Sequence, residues 1–290
     1  MDAPLKAYLE IAERYYIEDR LDAAMRVVTD AFEQTGWPEG LWTEFYNALQ
    51  CEKDARDASD LHQLDGKLTI ELPRTAGAET LAVLGSVGLD ARAKVGELLR
   101  VDFAASVMIT VFLPDAPVEF ISGSHGYVNH KVGLEKICVP NDCLRSREVV
   151  DETLVHEFTH VGVCELAGDA VPRWLDEGLA TYLCGELSTR HARLIVKTAA
   201  RKADLPSLGE LEAALTSADM RKDDPATVES AYFLASSLIE SWVDRFGLDS
   251  MRRALVEIGS SRSVGQAVRS ATGAPVSQLF DNWRRRLLDG

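Results

Sequence analysis

One proline, Pro140, marks where this chain changes period. From residue 67 up to it, apolar residues gather in short β-rich runs separated by one long helical stretch. Strand character begins at residues 67–73, a helix is expected over 77–99, and Val107, Met108, Ile109, Thr110 and Val111 lie inside a further strand at 107–113. Two more extended pieces, 118–121 and 134–139, flank the Gly- and His-rich segment 122–129. After Pro140 almost every apolar residue recurs at helical spacing. Strands followed by helices predict α+β architecture: a small mixed sheet and then a mainly helical half.

Ahead of the sheet, Leu5, Tyr8, Ile11 and Ala12 keep helical spacing, and Leu21, Ala24, Met25 and Val28 repeat it. Gly36, Trp37 and Pro38 punctuate before a third run over 41–49. Residues 1–60 hold 14 acids and 6 bases, so this helical segment supplies about half of the chain's net charge of -15. So acidic a balance argues against general binding to nucleic acid, which needs clustered positive charge. The longest apolar stretch, 104–113, is half of what a membrane span requires (about 20 residues) and reads as a buried strand. Charges are scattered through the first twenty residues, leaving no apolar core of a signal peptide. The cysteines, Cys51, Cys138, Cys143, Cys164 and Cys184, are odd in number and fit free thiols better than a disulfide framework. A reduced, cytoplasmic, soluble protein is expected.

The chemistry is concentrated in residues 147–166, a single helix on pattern. Ser146 can cap it, Glu148, Asp151 and Glu152 favour its positive end, and Gly168 ends it. Inside lies His156-Glu157-Phe158-Thr159-His160. Four residues advance a helix by about 400°, so the two imidazoles stand one turn apart on nearly the same face. Two nitrogens so placed can share one Zn²⁺, while Glu157, offset by about 100°, can reach a water at the metal without being a ligand. This is the HExxH arrangement of zinc hydrolases. A third protein ligand is wanted, and Glu177 comes seventeen residues after His160. Pro172 suits the first turn of a second helix, which places Glu177 about one turn inside it.

HEFTH followed by WLDEGLATYL resembles the gluzincin metallopeptidases, in particular their peptidase-MA-like domains. The resemblance covers roughly residues 65–290, with Gly126-Tyr127, the run 232–247 and Trp283 as weaker echoes. It sets residues 1–60 apart as an acidic helical extension and divides the rest into a sheet-containing part, 65–140, and a helical part, 141–290. It implies one zinc per chain held by His156, His160 and Glu177, with Glu157 as the catalytic base. Asp176 stands where the aminopeptidase branch usually has Asn, and no amine-binding motif accompanies it, which points away from aminopeptidase activity. The metzincin alternative would need Gly at 163 and His at 166, where the chain has Val163 and Leu166.

Related enzymes stabilise the oxyanion with a tyrosine downstream of the third ligand, which makes Tyr232 the leading donor. Tyr182, His125 and His130 are the other candidates. Thr181, one turn after Glu177, could orient that ligand. Cys164, four residues past His160, keeps a His-His-Cys site conceivable, though a buried reduced thiol is the plainer reading. The functional expectation is a zinc metallopeptidase whose sheet edge takes an extended peptide or protein substrate. Its rival is a pseudo-peptidase that keeps the fold as a peptide-binding or regulatory module.

Overall fold

The computed structural model describes residues 3–36, 41–116, 126–202, 205–216 and 225–289. The protein is α+β and divides into two compact units. One comprises Met1–Leu89 with Ala104–Val150, the other Asp90–Phe103 with Asp151–Gly290.

The first unit holds α1 (Ala3–Ile17), α2 (Leu21–Thr35), α3 (Leu41–Ala58), β1 (Ser59–Gln63), β2 (Leu68–Pro73), the beginning of α4 (Ala78–Leu99), β3 (Ser106–Val111), β4 (Tyr127–Lys131) and β5 (Leu134–Val139). The sheet order is β1-β2-β3-β5-β4. Its three central strands are parallel and its two edge strands antiparallel to their neighbours. Ile70, Ile109 and Ile137 stand in register across the centre and are fully buried. This side-by-side burial of β-branched residues is why the central strands are legible in the sequence.

The opposite face of those strands is polar. Thr110 donates to Glu71 at 2.8 Å, and the ammonium of Lys136 lies 3.0 Å from the Glu52 carboxylate of α3. Glu52 also takes Lys131 at 3.3 Å, Asn129 at 2.9 Å and the hydroxyl of Tyr16. A fully buried carboxylate needs such a complement of cations and donors. It binds α1 and α3 to the sheet, while α1, α2 and α3 share the apolar cluster of Leu9, Val28, Phe32 and Leu49.

Two strands depart from expectation. β1, Ser-Asp-Leu-His-Gln, has no β-branched residue, and β4 lies at the end of the segment read as Gly- and His-rich; each owes its conformation to the partner it pairs with at the sheet edge. The third helical run continues nine residues beyond 49, to Ala58. The extended piece expected at 118–121 lies outside the described residues, as does His125.

The second unit is helical: the end of α4, then α5 (Arg147–Ala167, from its second turn), α6 (Arg173–Cys184), α7 (Arg190–Arg201), α8 (Leu208–Thr216), α9 (Pro225–Phe246), α10 (Leu248–Gly259), α11 (Val264–Thr272) and α12 (Val276–Asp289). Its core gathers Phe158, Leu175, Leu179, Ile239, Trp242, Leu255 and Trp283. The indole N–H groups of Trp242 and Trp283 find hydroxyls, Ser250 at 2.7 Å and Ser237 at 2.8 Å, so neither of these two rings leaves a donor unpaired. No helix among the described residues is long and apolar enough to cross a membrane. All five cysteines are unbridged.

Candidate metal centre

The centre is built on two helices, and each is fixed at its start. Ser146 Oγ accepts from the backbone of Val149 at 3.3 Å to begin α5, and Gly168, with φ +61°, follows its end. Pro172 stands at the N-cap of α6, one residue earlier than expected, and has no side-chain acceptor to offer. Glu212 of α8 supplies one instead. Its two oxygens each accept a backbone N–H at 3.0 Å, from Arg173 and from Trp174, which satisfies two orphan donors and places negative charge at the positive end of α6.

On α5 the rings of His156 and His160 lie 4.9 Å apart at 72°. Nε2 of each is 3.3 Å from the same oxygen, Oε2 of Glu177. Three ligand-type atoms thus converge, and Cys164 is not among them. Glu177 Oε2 is buried and has no hydrogen-bond partner by geometry. Its other oxygen is held by Arg173, one turn earlier on α6.

The imidazoles are oriented from behind. Nδ1 of His160 lies 2.8 Å from Asp176 Oδ1, and with its proton donated there, Nε2 presents a lone pair to the centre. Cys184, whose thiol donates to the Thr181 carbonyl at 3.4 Å, lies beside His156. Burial alone would lower the pKa of His156, but Cys184 and Glu177 outweigh it and raise it to about 10. His160 is likewise raised, against its burial, by Asp176 and Glu177. Glu177 is held well below the usual carboxylate range because the two histidines outweigh its own desolvation. These opposite shifts have one meaning: the pocket of carboxylates demands positive charge, as protons on the imidazoles or as a cation between them. Two imidazole nitrogens and one carboxylate oxygen suit zinc, and this donor set leaves room for water or substrate.

Glu157 is buried, and its Oε2 has no hydrogen-bond partner. Desolvation pushes its carboxyl pKa up. Tyr232 of α9 is half-buried and lies near Glu177, and burial, with that carboxylate, raises its phenol pKa strongly. Gly178 permits this approach: a Cβ there would lie 2.9 Å from the carbonyl oxygen of Ala235 and 2.9 Å from Ile239, so glycine lets α9 close onto α6.

The other candidates stand elsewhere. Tyr182 is set beside Asp244 and Glu240, and His130 lies in the first unit, 2.5 Å from Glu135. The hydroxyl of Thr181 is buried without a hydrogen bond to Glu177. Sequence reasoning did not give roles to Arg173, Cys184 or Glu212, and noted Asp176 only as a departure. Arg173 had a signal in its spacing of three and four residues from two acids, and Cys184 had one in lying two turns after Glu177. Glu212 had none, because its partners are 38 and 39 residues away.

Residues 138–289 match the family model of the peptidase MA superfamily. Among individually curated proteins, none matches the chain.

Proposed function

The chain belongs to the peptidase MA superfamily, and from that membership we propose that it is a zinc-dependent metallopeptidase that hydrolyses peptide bonds with Glu157 as general base. The observation that best supports this reading is the convergence of His156 Nε2, His160 Nε2 and the unpartnered Glu177 Oε2, with the equally unpartnered Glu157 Oε2 in the same buried cluster. His156, His160 and Glu177 would hold the metal, one zinc per chain. Zinc bound there supplies a Lewis acid that acidifies a water and polarises the scissile carbonyl.

The chain's own groups do the rest. Glu157 accepts the proton of the attacking water on its free oxygen and delivers it to the leaving amine. Its burial raises the carboxyl's proton affinity, so it takes the proton readily and holds it for the amine, which is the stronger base. The hydroxyl of Tyr232, beside Glu177, donates to the oxyanion that develops on the carbonyl. Asp176 fixes the ring of His160, so neither ligand orientation nor tautomer must be found during turnover.

The test pairs a ligand with the base. His156→Ala should abolish stoichiometric zinc. Glu157→Gln should retain the zinc and lower cleavage of a random peptide pool by at least about 10²-fold. Native cleavage by Glu157→Gln would refute the mechanism. Zinc bound tightly by a wild type that cleaves no peptide would return the pseudo-peptidase reading.

A further inference from the structure

We propose that Arg173 is a positioning residue for the metal centre, its guanidinium clamping Asp176 and Glu177 so that each keeps one oxygen for the histidine pair. The inference rests on the metal reading above and concerns how the donor set is shaped. Four carboxylate oxygens are shared out between one cation and two imidazoles. Asp176 Oδ2 lies 3.3 Å from Nη1 of Arg173, and Oδ1 lies 2.8 Å from His160 Nδ1. Nη2 of Arg173 takes Glu177 Oε1, and Oε2 is left 3.3 Å from Nε2 of both histidines.

The geometry follows from spacing and from the chemistry of guanidinium. Asp176 and Glu177 stand three and four residues after Arg173, so both carboxylates come within reach of one side chain rooted a turn below them. Arginine presents its N–H groups in a planar fork, and two of them can serve two carboxylates at once. The root of that fork is fixed, because the backbone N–H of Arg173 donates to Glu212 at 3.0 Å.

Two consequences bear on the metal. A free carboxylate can turn and offer both oxygens to a cation. One whose Oε1 is engaged offers a single atom, and the position it does not occupy remains for water and substrate. Asp176 is braced in the same way, and it sets the ring of His160. Arg173 keeps 40% of its side-chain exposure while Glu177 keeps 4%, so the clamp sits at the rim and its carboxylates lie within.

The experiment uses the full chain carrying Arg173→Met and Arg173→Lys, loaded with zinc or with cobalt(II). Zinc affinity is measured by chelator competition and ligand geometry by the visible cobalt spectrum. Arg173→Met should weaken zinc about 10–100-fold. Its cobalt bands should lose intensity as Glu177 closes with both oxygens and the coordination number rises. Arg173→Lys, which keeps the charge and loses the fork, should fall between wild type and Arg173→Met on both readouts. It carries the test alone if Arg173→Met does not fold, and then a zinc affinity and cobalt spectrum identical to wild type would overturn the proposal. The same identity in a folded Arg173→Met overturns it while leaving the metal reading intact. A wild type that binds neither metal overturns both.

Discussion

Replacing Gly178 with alanine sets two effects against each other, and the structure decides which wins. In a helix interior alanine is favoured over glycine by about 1 kcal/mol. Against this, the new Cβ would lie 2.9 Å from the Ala235 carbonyl oxygen, 3.0 Å from its carbon and 2.9 Å from Ile239 Cγ1. Two of those atoms are backbone of α9 and cannot swing aside, so the helices must part by about half an ångström. Overpacking of this kind costs about 1–3 kcal/mol. The net should be a loss of up to about 2 kcal/mol, or a melting temperature lower by up to about 4 °C. Gly265 of α11 is the control, because a Cβ there meets nothing within 4 Å. Gly265→Ala should gain about 0.4–1 kcal/mol from the unfolded state alone. Thermal melts followed by circular dichroism at one pH compare the two variants. If Gly178→Ala melts at or above wild type, the close approach of α9 to α6 is not what demands glycine, and the account of how Tyr232 reaches Glu177 fails with it.

Tyr232→Phe, at equal metal content, should lower kcat by about 10²–10³ with a smaller change in KM, and an unchanged kcat would reduce the tyrosine to packing. Tyr182→Phe, set among Asp244 and Glu240, should leave kcat as it is. Glu212→Ala should cost about 1–2 kcal/mol in urea unfolding, because two N–H groups at the start of α6 lose their acceptor; no shift in the midpoint would rule out the cap. Glu52 is depressed below the ordinary carboxylate value of 4.5, since Lys136 and Lys131 outweigh its burial. The stability it contributes is therefore present above about pH 4.5 and lost as pH falls through its folded pKa. Glu52→Gln should cost about 3–5 kcal/mol at neutral pH and flatten the fall of melting temperature between pH 5 and 3. An acid slope equal to wild type would mean that other carboxylates carry it.

Short-range geometry governs whatever could be read from the residue pattern. The placing of His156 and His160 on one face follows from 3.6 residues per turn and a capped, uninterrupted helix, whatever that helix packs against. The central strands were legible for a similar reason: Ile70, Ile109 and Ile137 belong to β-rich runs too apolar to be left in water. The α+β order could be read from the change of period at Pro140 alone. Edge strands β1 and β4 could not, since hydrogen bonds to a neighbour hold them and their own residues express little preference.

Which distant groups meet is a matter of how the helices pack. Three successive residues, Asp176, Glu177 and Gly178, carry the carboxylate beside His160, the proposed third ligand and the glycine where α9 approaches α6. What each one faces depends on how α5, α8 and α9 cross α6. Resemblance favoured Tyr232, but its neighbourhood with Glu177 is set by the α6–α9 crossing at Gly178. The choice of Glu212 as cap and the gathering of Glu52, Lys131 and Lys136 under α3 are of the same kind. A buried charge finds its partners in whichever segments the packed backbone brings within a few ångströms, and no local period encodes that distance.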